Sequence, residues 1–91
     1  MNLIETIRAR LNTLAPISLT IRDDSAQHAG HAGNTGGGHF HVVIQSNLFD
    51  GKNLVARHRL IYAQLQDLIP QQIHALSINA LDSHAKDHNH I

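Results

Sequence analysis

His39-Phe40-His41-Val42-Val43-Ile44-Gln45, residues 39–45, decides the fold. Phe40, Val42 and Ile44 fall on one side of an extended chain, and His39, His41, Val43 and Gln45 on the other. That period of two is what a half-buried strand requires. Upstream, Ile17, Leu19 and Ile21 alternate with Ser18, Thr20 and Arg22, which predicts a strand before it. Downstream, from about Ile73 to Ala80, His74, Leu76 and Ile78 share a face and predict a third. Residues 25–38, between the first two strands, hold Ser25, Asn34, Thr35 and all but one of the six glycines. Such a composition builds no core and predicts a long flexible loop, a kind of segment that often carries function.

The strands are framed by two helical patterns. Ile4, Ile7, Leu11 and Leu14 recur at helical spacing over residues 2–14, with Asn2 and Glu5 placed as a capping box. Pro16 prevents continuation. Asn47-Leu48-Phe49-Asp50-Gly51 turns the chain, and a second helix from Asn53 carries Leu54, His58, Ile61, Leu65 and Leu68 on one stripe. Val55, Tyr62 and Ile69 widen that stripe, and Pro70 ends it. The first two strands should form a long-looped hairpin, and the helical crossover should set the third parallel to the second. The fold class expected is α+β: a two-layer sandwich in which helices cover one face of a three-stranded mixed sheet. It is a single domain over residues 1–81, followed by a flexible polar tail over 82–91 that contains His84, His88 and His90.

The chain has 91 residues, seven Lys+Arg, seven Asp+Glu and no cysteine. A formal net charge of zero supplies no global field toward nucleic acid or membrane. Without thiols the chain makes no disulfide and, by itself, no Cys-zinc site or thiolate-held iron–sulfur cluster. No apolar run approaches the ~18 residues of a membrane span, and the N-terminus carries no secretion pattern. A soluble, cytoplasmic protein is expected. No nucleophile–base–orienter set is visible, so an enzyme is not expected.

Nine histidines are the abnormal feature. Imidazole titrates near pH 6.5 and is the commonest metal ligand. His28 and His31 frame HAGH in the glycine-rich loop, where two imidazoles on a mobile backbone could turn toward a metal or lie solvated. His39 and His41 share the outward face of the second strand. Period two puts His74 on the core face of the third strand, partly desolvated and rigidly held, a setting that suits a metal ligand and a structural histidine equally. His58 falls on the apolar stripe of the second helix, the place of a satisfied core histidine. Lys52, Arg57 and Arg59 give residues 51–66 a charge of +3 with no acid, a local basic surface on a neutral chain. GXXG matches at 30–33 and 33–36 join strands here, whereas the nucleic-acid clamp of that pattern joins helices.

DDSAQHAGHAG (23–33), GGHFHVVIQSNLFDGK (37–52), RHRLIY (57–62) and IHALSI (73–78) together resemble the BolA-like family over nearly the whole chain to about residue 80. The resemblance implies an αββααβ fold of the class II KH-like type, adding a short helical turn near residues 69–72. It implies a monothiol glutaredoxin as partner, with a 2Fe–2S cluster bridging the pair. The glutaredoxin cysteine and a glutathione thiolate would hold one iron, and histidines of this chain the other. The family's ligand before its "HAL" motif falls on His74, and the variable loop ligand falls on His28. His31 and His39 lie close enough in sequence to compete with His28. Imidazole in place of thiolate lowers the cluster's negative charge and raises its potential, and since imidazole must be neutral to bind, retention should weaken in acid.

The family also implies a second reading, a DNA-binding transcriptional regulator using Lys52, Arg57 and Arg59. Three cations give a salt slope of about −3 at most, so such binding would need dimerisation or further contacts. A third reading is a stand-alone divalent-metal-binding protein built on loop histidines. The partners expected are therefore a glutaredoxin, DNA in the alternative, and a weak homodimer, with no membrane.

Overall fold

In the computed structural model, residues 2–25 and 38–85 are described. Helix α1 spans Leu3–Leu11 and opens on the expected box: Glu5 N–H donates to the Asn2 side chain at 2.9 Å and Asn2 N–H to Glu5 Oε2 at 3.4 Å. It tightens into a 3₁₀ turn over Asn12–Leu14 and stops at Ala15, whose φ of 50° is left-handed. Strand β1 spans Pro16–Asp23 and β2 spans Gly38–Ser46. A 3₁₀ turn over Asn47–Phe49 leads to helix α2, Leu54–Leu65, capped by Asn53 accepting from Ala56 N–H at 2.9 Å. Strand β3 spans Ile73–Leu81. The sheet order is β1-β2-β3, with β1 antiparallel and β3 parallel to β2.

The family-derived helical turn is displaced. A 3₁₀ turn lies at Gln66–Leu68, directly after α2, while residues 69–72 form a turn closed by Gln72 N–H donating to Leu68 C=O at 2.9 Å. Pro70 has no N–H and its ring blocks a helix through this segment.

Packing follows the apolar periodicities. Ile7, Leu11 and Leu14 from the first helical segment meet Phe40, Val42 and Ile44 of β2, and Ile61, Leu65 and Leu68 close over them with Ile73 and Ala80. Phe49, read as a turn residue, is fully buried. Ser46 is the one buried polar side chain of the described core. Its hydroxyl donates to Leu14 C=O at 2.6 Å and accepts from Leu48 N–H at 3.1 Å, which satisfies a group that would otherwise oppose folding.

Two expected core contributions are corrected. Ile17 is 55 % exposed, because Pro16 pairs with Ser46 while Ser18 pairs with Gln45, and the unmatched residue between them turns outward. Leu54, Val55 and Tyr62 are exposed as well. The residue of α2's first turns that reaches the sheet is Arg57, whose guanidinium donates to Ala80 C=O at 3.0 Å and to Asp82 Oδ2 at 3.4 Å. The packed apolar face of α2 is therefore made by Leu60, Ile61 and Leu65.

The chain expected to run loose from residue 82 is tied down through 85. Gln45 Nε2 donates to the carbonyls of Asp82 and Ala85 at 2.9 and 3.0 Å. Ser83 donates its N–H and its hydroxyl to the Asp50 carboxylate at 2.7 and 2.6 Å. His88 and His90 lie outside the described residues.

Truncating the buried ring, Phe49→Ala, should cost about 3–5 kcal/mol, read as a lowered urea midpoint. The clasp at Asp50 carries a pH dependence. The two hydrogen bonds from Ser83 hold the Asp50 carboxyl below the usual carboxylate range. Its stabilisation is complete above the unfolded pKa and is lost as pH falls through the lowered folded value. Asp50→Asn should lower the urea midpoint at pH 7 and narrow the difference between pH 7 and pH 3.

Candidate functional site

The site is made by a mismatch where β2 and β3 begin. Gly38 pairs with Ile73, but the next residue, His39, pairs with Ala75, so His74 has no opposite number. Period two counted back from Ile78 and Leu76 assigns His74 to the core. The extra residue inverts that assignment: Ile73 is fully buried and His74 is exposed. The outward turn sets the His74 ring beside that of His39, with centroids 5.4 Å apart and planes inclined at 48°.

Backbone hydrogen bonds fix this end of the sheet. Gly38 N–H donates to Gln72 C=O at 2.8 Å, joining the start of β2 to the chain entering β3. Asp24 N–H donates to His39 C=O at 2.7 Å, and His39 N–H donates to Ser25 Oγ at 3.0 Å. Ser25 in turn donates to Asp23, which holds that carboxyl low. Arg22 grips Asp24 through two contacts, of 2.6 and 3.1 Å. A shallow depression of about 210 Å³ opens here, lined by Asp24, His39, Phe40, Ala75, Leu76 and Ser77. His41, two residues along the same open face, has Nδ1 3.0 Å from Ser77 Oγ.

Two imidazoles bound at about 2.0–2.1 Å to one tetrahedral metal hold their ring centres roughly 5 Å apart, so the His39–His74 spacing fits a pair of ligands. Among the described residues no group of three or more His, Asp or Glu could hold a metal. A metal at His39 and His74 would thus take its other donors from elsewhere. His28 and His31 lie outside the described residues.

Of the three basic candidates, Arg57 is committed to structure: its side chain is 16 % exposed and bonded to Lys52 C=O, Ala80 C=O and Asp82. Lys52 and Arg59 are exposed, with no ion pair among the described residues. His58 is half-buried on α2, and His84 is exposed with Nε2 3.9 Å from Asp50 Oδ2.

The profile of the BolA-like protein family matches residues 11–85. The chain belongs to that family. Protein BOLA1, chloroplastic, of Arabidopsis thaliana is 51 % identical over 69 residues, covering 71 % of this chain and 43 % of that protein. The DNA-binding transcriptional regulator BolA of Escherichia coli (strain K12) is 34 % identical over 80 residues, covering 87 % of this chain and 74 % of that one. The solved structure of BolA1 from Arabidopsis thaliana superposes with a TM-score of 0.80 at 42 % identity, covering 94 % of this chain and 98 % of that one. The chain spans from about a fifth to about half of the length of the first curated relatives it matches. No helix of the described residues is long and apolar enough to cross a membrane.

The BolA-like resemblance points to His74 and leaves His39 as a competitor of His28; in the structure the His39 ring lies beside that of His74. The signal for the mismatch lay in Ile73: an apolar residue directly before His74 competes for the same inward place. Gly38 is the tight spot, since a Cβ built there would collide with Cε2 of the Phe40 ring. Gly38→Ala should therefore displace the Phe40 ring, cost about 1–3 kcal/mol and move the imidazole NMR signals of both His39 and His74.

Proposed function

We propose that this BolA-like chain is a cytoplasmic, non-enzymatic adaptor. It binds a monothiol glutaredoxin and co-ligates a bridging 2Fe–2S cluster through His74 and a second histidine. The observation that carries the reading is the paired, outward-turned set of His39 and His74 at the open end of the sheet. Two imidazoles are half of a coordination shell, and a chain without cysteine needs its sulfur from a partner. The ring spacing supports His39 as the second donor, and the family resemblance supports His28, which lies outside the described residues. The cluster would supply one-electron chemistry at a potential raised by imidazole ligation. The part played by this chain is positional: the β2–β3 mismatch aims His74, and the hydrogen bonds at Asp24, Ser25 and Gln72 fix the backbone of His39 beside it.

A second reading, DNA-binding regulation, is supported by the name of the Escherichia coli relative. With Arg57 folded inward, two open cations remain on this surface, and they set a salt slope of about −2 at most.

The test of the adaptor reading is visible circular dichroism of the chain mixed with a monothiol glutaredoxin, iron, sulfide and glutathione. Wild type should give a cluster spectrum that His74→Ala changes or abolishes. Whichever of His39→Ala and His28→Ala alters it identifies the second donor. A His74→Ala spectrum identical to wild type removes this residue from the site.

A further inference from the structure

Four of the five large apolar side chains that are exposed among the described residues lie in α2 or the turn before it; the fifth, Ile17, is on β1. Leu48 is 46 % exposed in the turn before α2, Leu54 and Val55 are 61 % and 59 % exposed in its first turn, and Tyr62 is 40 % exposed further along. Val55, Arg59 and Tyr62 recur at i, i+4 and i+7, so they form one outward stripe, with Lys52 just ahead of it. Residues 51–66 contain no carboxylate. Arg57 is the cation of this stretch that has an acidic partner, and it reaches inward to Asp82. Lys52 and Arg59, exposed and without ion pairs among the described residues, border the apolar side chains.

We infer that this ridge docks an acidic amphipathic segment of another protein, one whose apolar side chains are bordered by carboxylates. Complementary charge at the rim and an exposed tyrosine among aliphatic side chains are what such contacts use. A second copy of this chain fits poorly, because ridge set on ridge brings no carboxylate of residues 51–66 to either Lys52 or Arg59. Nucleic acid would use the two cations and leave Leu48, Leu54 and Val55 without counterparts. An anionic lipid surface needs clusters of about four to eight basic residues, more than the ridge has.

The position of the ridge gives the inference its functional content. Arg57 ties α2's first turns to Ala80 at the far end of β3, whereas His74 stands at its beginning. Six strand steps separate them, roughly 20 Å. The start of the ridge, with Lys52, Leu54 and Val55, and the histidine pair therefore sit at opposite ends of the sheet, and a partner on one leaves the other accessible. The inference does not rest on the cluster reading.

The experiment is an amide NMR titration of the full chain with three probes. They are an 18-residue helix-forming peptide with one Leu stripe bordered by Glu, its Lys-for-Glu counterpart, and a 20-base-pair DNA duplex. The acidic peptide should shift the amides of residues 48–62 and leave those of His39 and His74 in place. Its affinity should fall at least tenfold in Arg59→Glu and in Tyr62→Ser, both at exposed positions. Absence of binding, equal binding of the basic peptide, or an unchanged affinity in Arg59→Glu overturns the inference. DNA moving the same amides with higher affinity than the acidic peptide assigns the face to nucleic acid and overturns it too. Cluster assembly with glutaredoxin should be unaffected by Arg59→Glu, which separates this outcome from that of the adaptor reading.

Discussion

Two residues set against one at the start of the β2–β3 pairing is the constraint on which the site depends. A strand has a fixed alternation, so a single unmatched residue exchanges inside for outside from that point onward. Here the exchange resolves a conflict between neighbours: Ile73 needs burial and His74 needs water or a ligand. Without the extra residue an imidazole would enter an apolar core with no polar partner and an isoleucine would face solvent. Hydrophobic burial of Ile73 thus drives the exposure of His74, and the core positions the candidate ligand.

The opposite end of the sheet is held by polar groups. Arg57, Asp82, Ser83 and Asp50 link α2, the end of β3 and the turn after β2 within a few residues. The guanidinium satisfies carbonyls as well as a carboxylate, which makes it a strut more than an ion pair. A charge that reads as a surface cation in the sequence is spent on the fold, and charge counting by segment overstates what a partner would meet.

Strand existence, pairing sense and most of the core were readable because each rests on local periodicity: Phe40, Val42 and Ile44 are inward as their spacing requires. What periodicity missed were the departures from it. Ile17 and His74 sit at the two strand mismatches, which depend on which residues lie opposite and so on tertiary pairing. Phe49 was hidden because a turn composition says nothing about what lies beneath the turn. Leu54 and Val55 were misplaced because an apolar stripe gives a helix's direction of burial but not how far along the helix the burial extends. His39 is a candidate from its closeness in sequence to His28, but its place beside His74 follows from pairing across strands, which no spacing within a strand encodes.

The strands of the β1–β2 hairpin are aligned by their own ladder, from Asp23 opposite Phe40 to Pro16 opposite Ser46, and by the tie from Asp24 to His39. Closing a connection of twice the length would raise the entropic cost by only about 0.6 kcal/mol. A ladder that carries its own alignment tolerates insertion or deletion between residues 25 and 38 at small entropic cost, so the sheet that displays His39 and His74 should go on folding as the length of that connection changes.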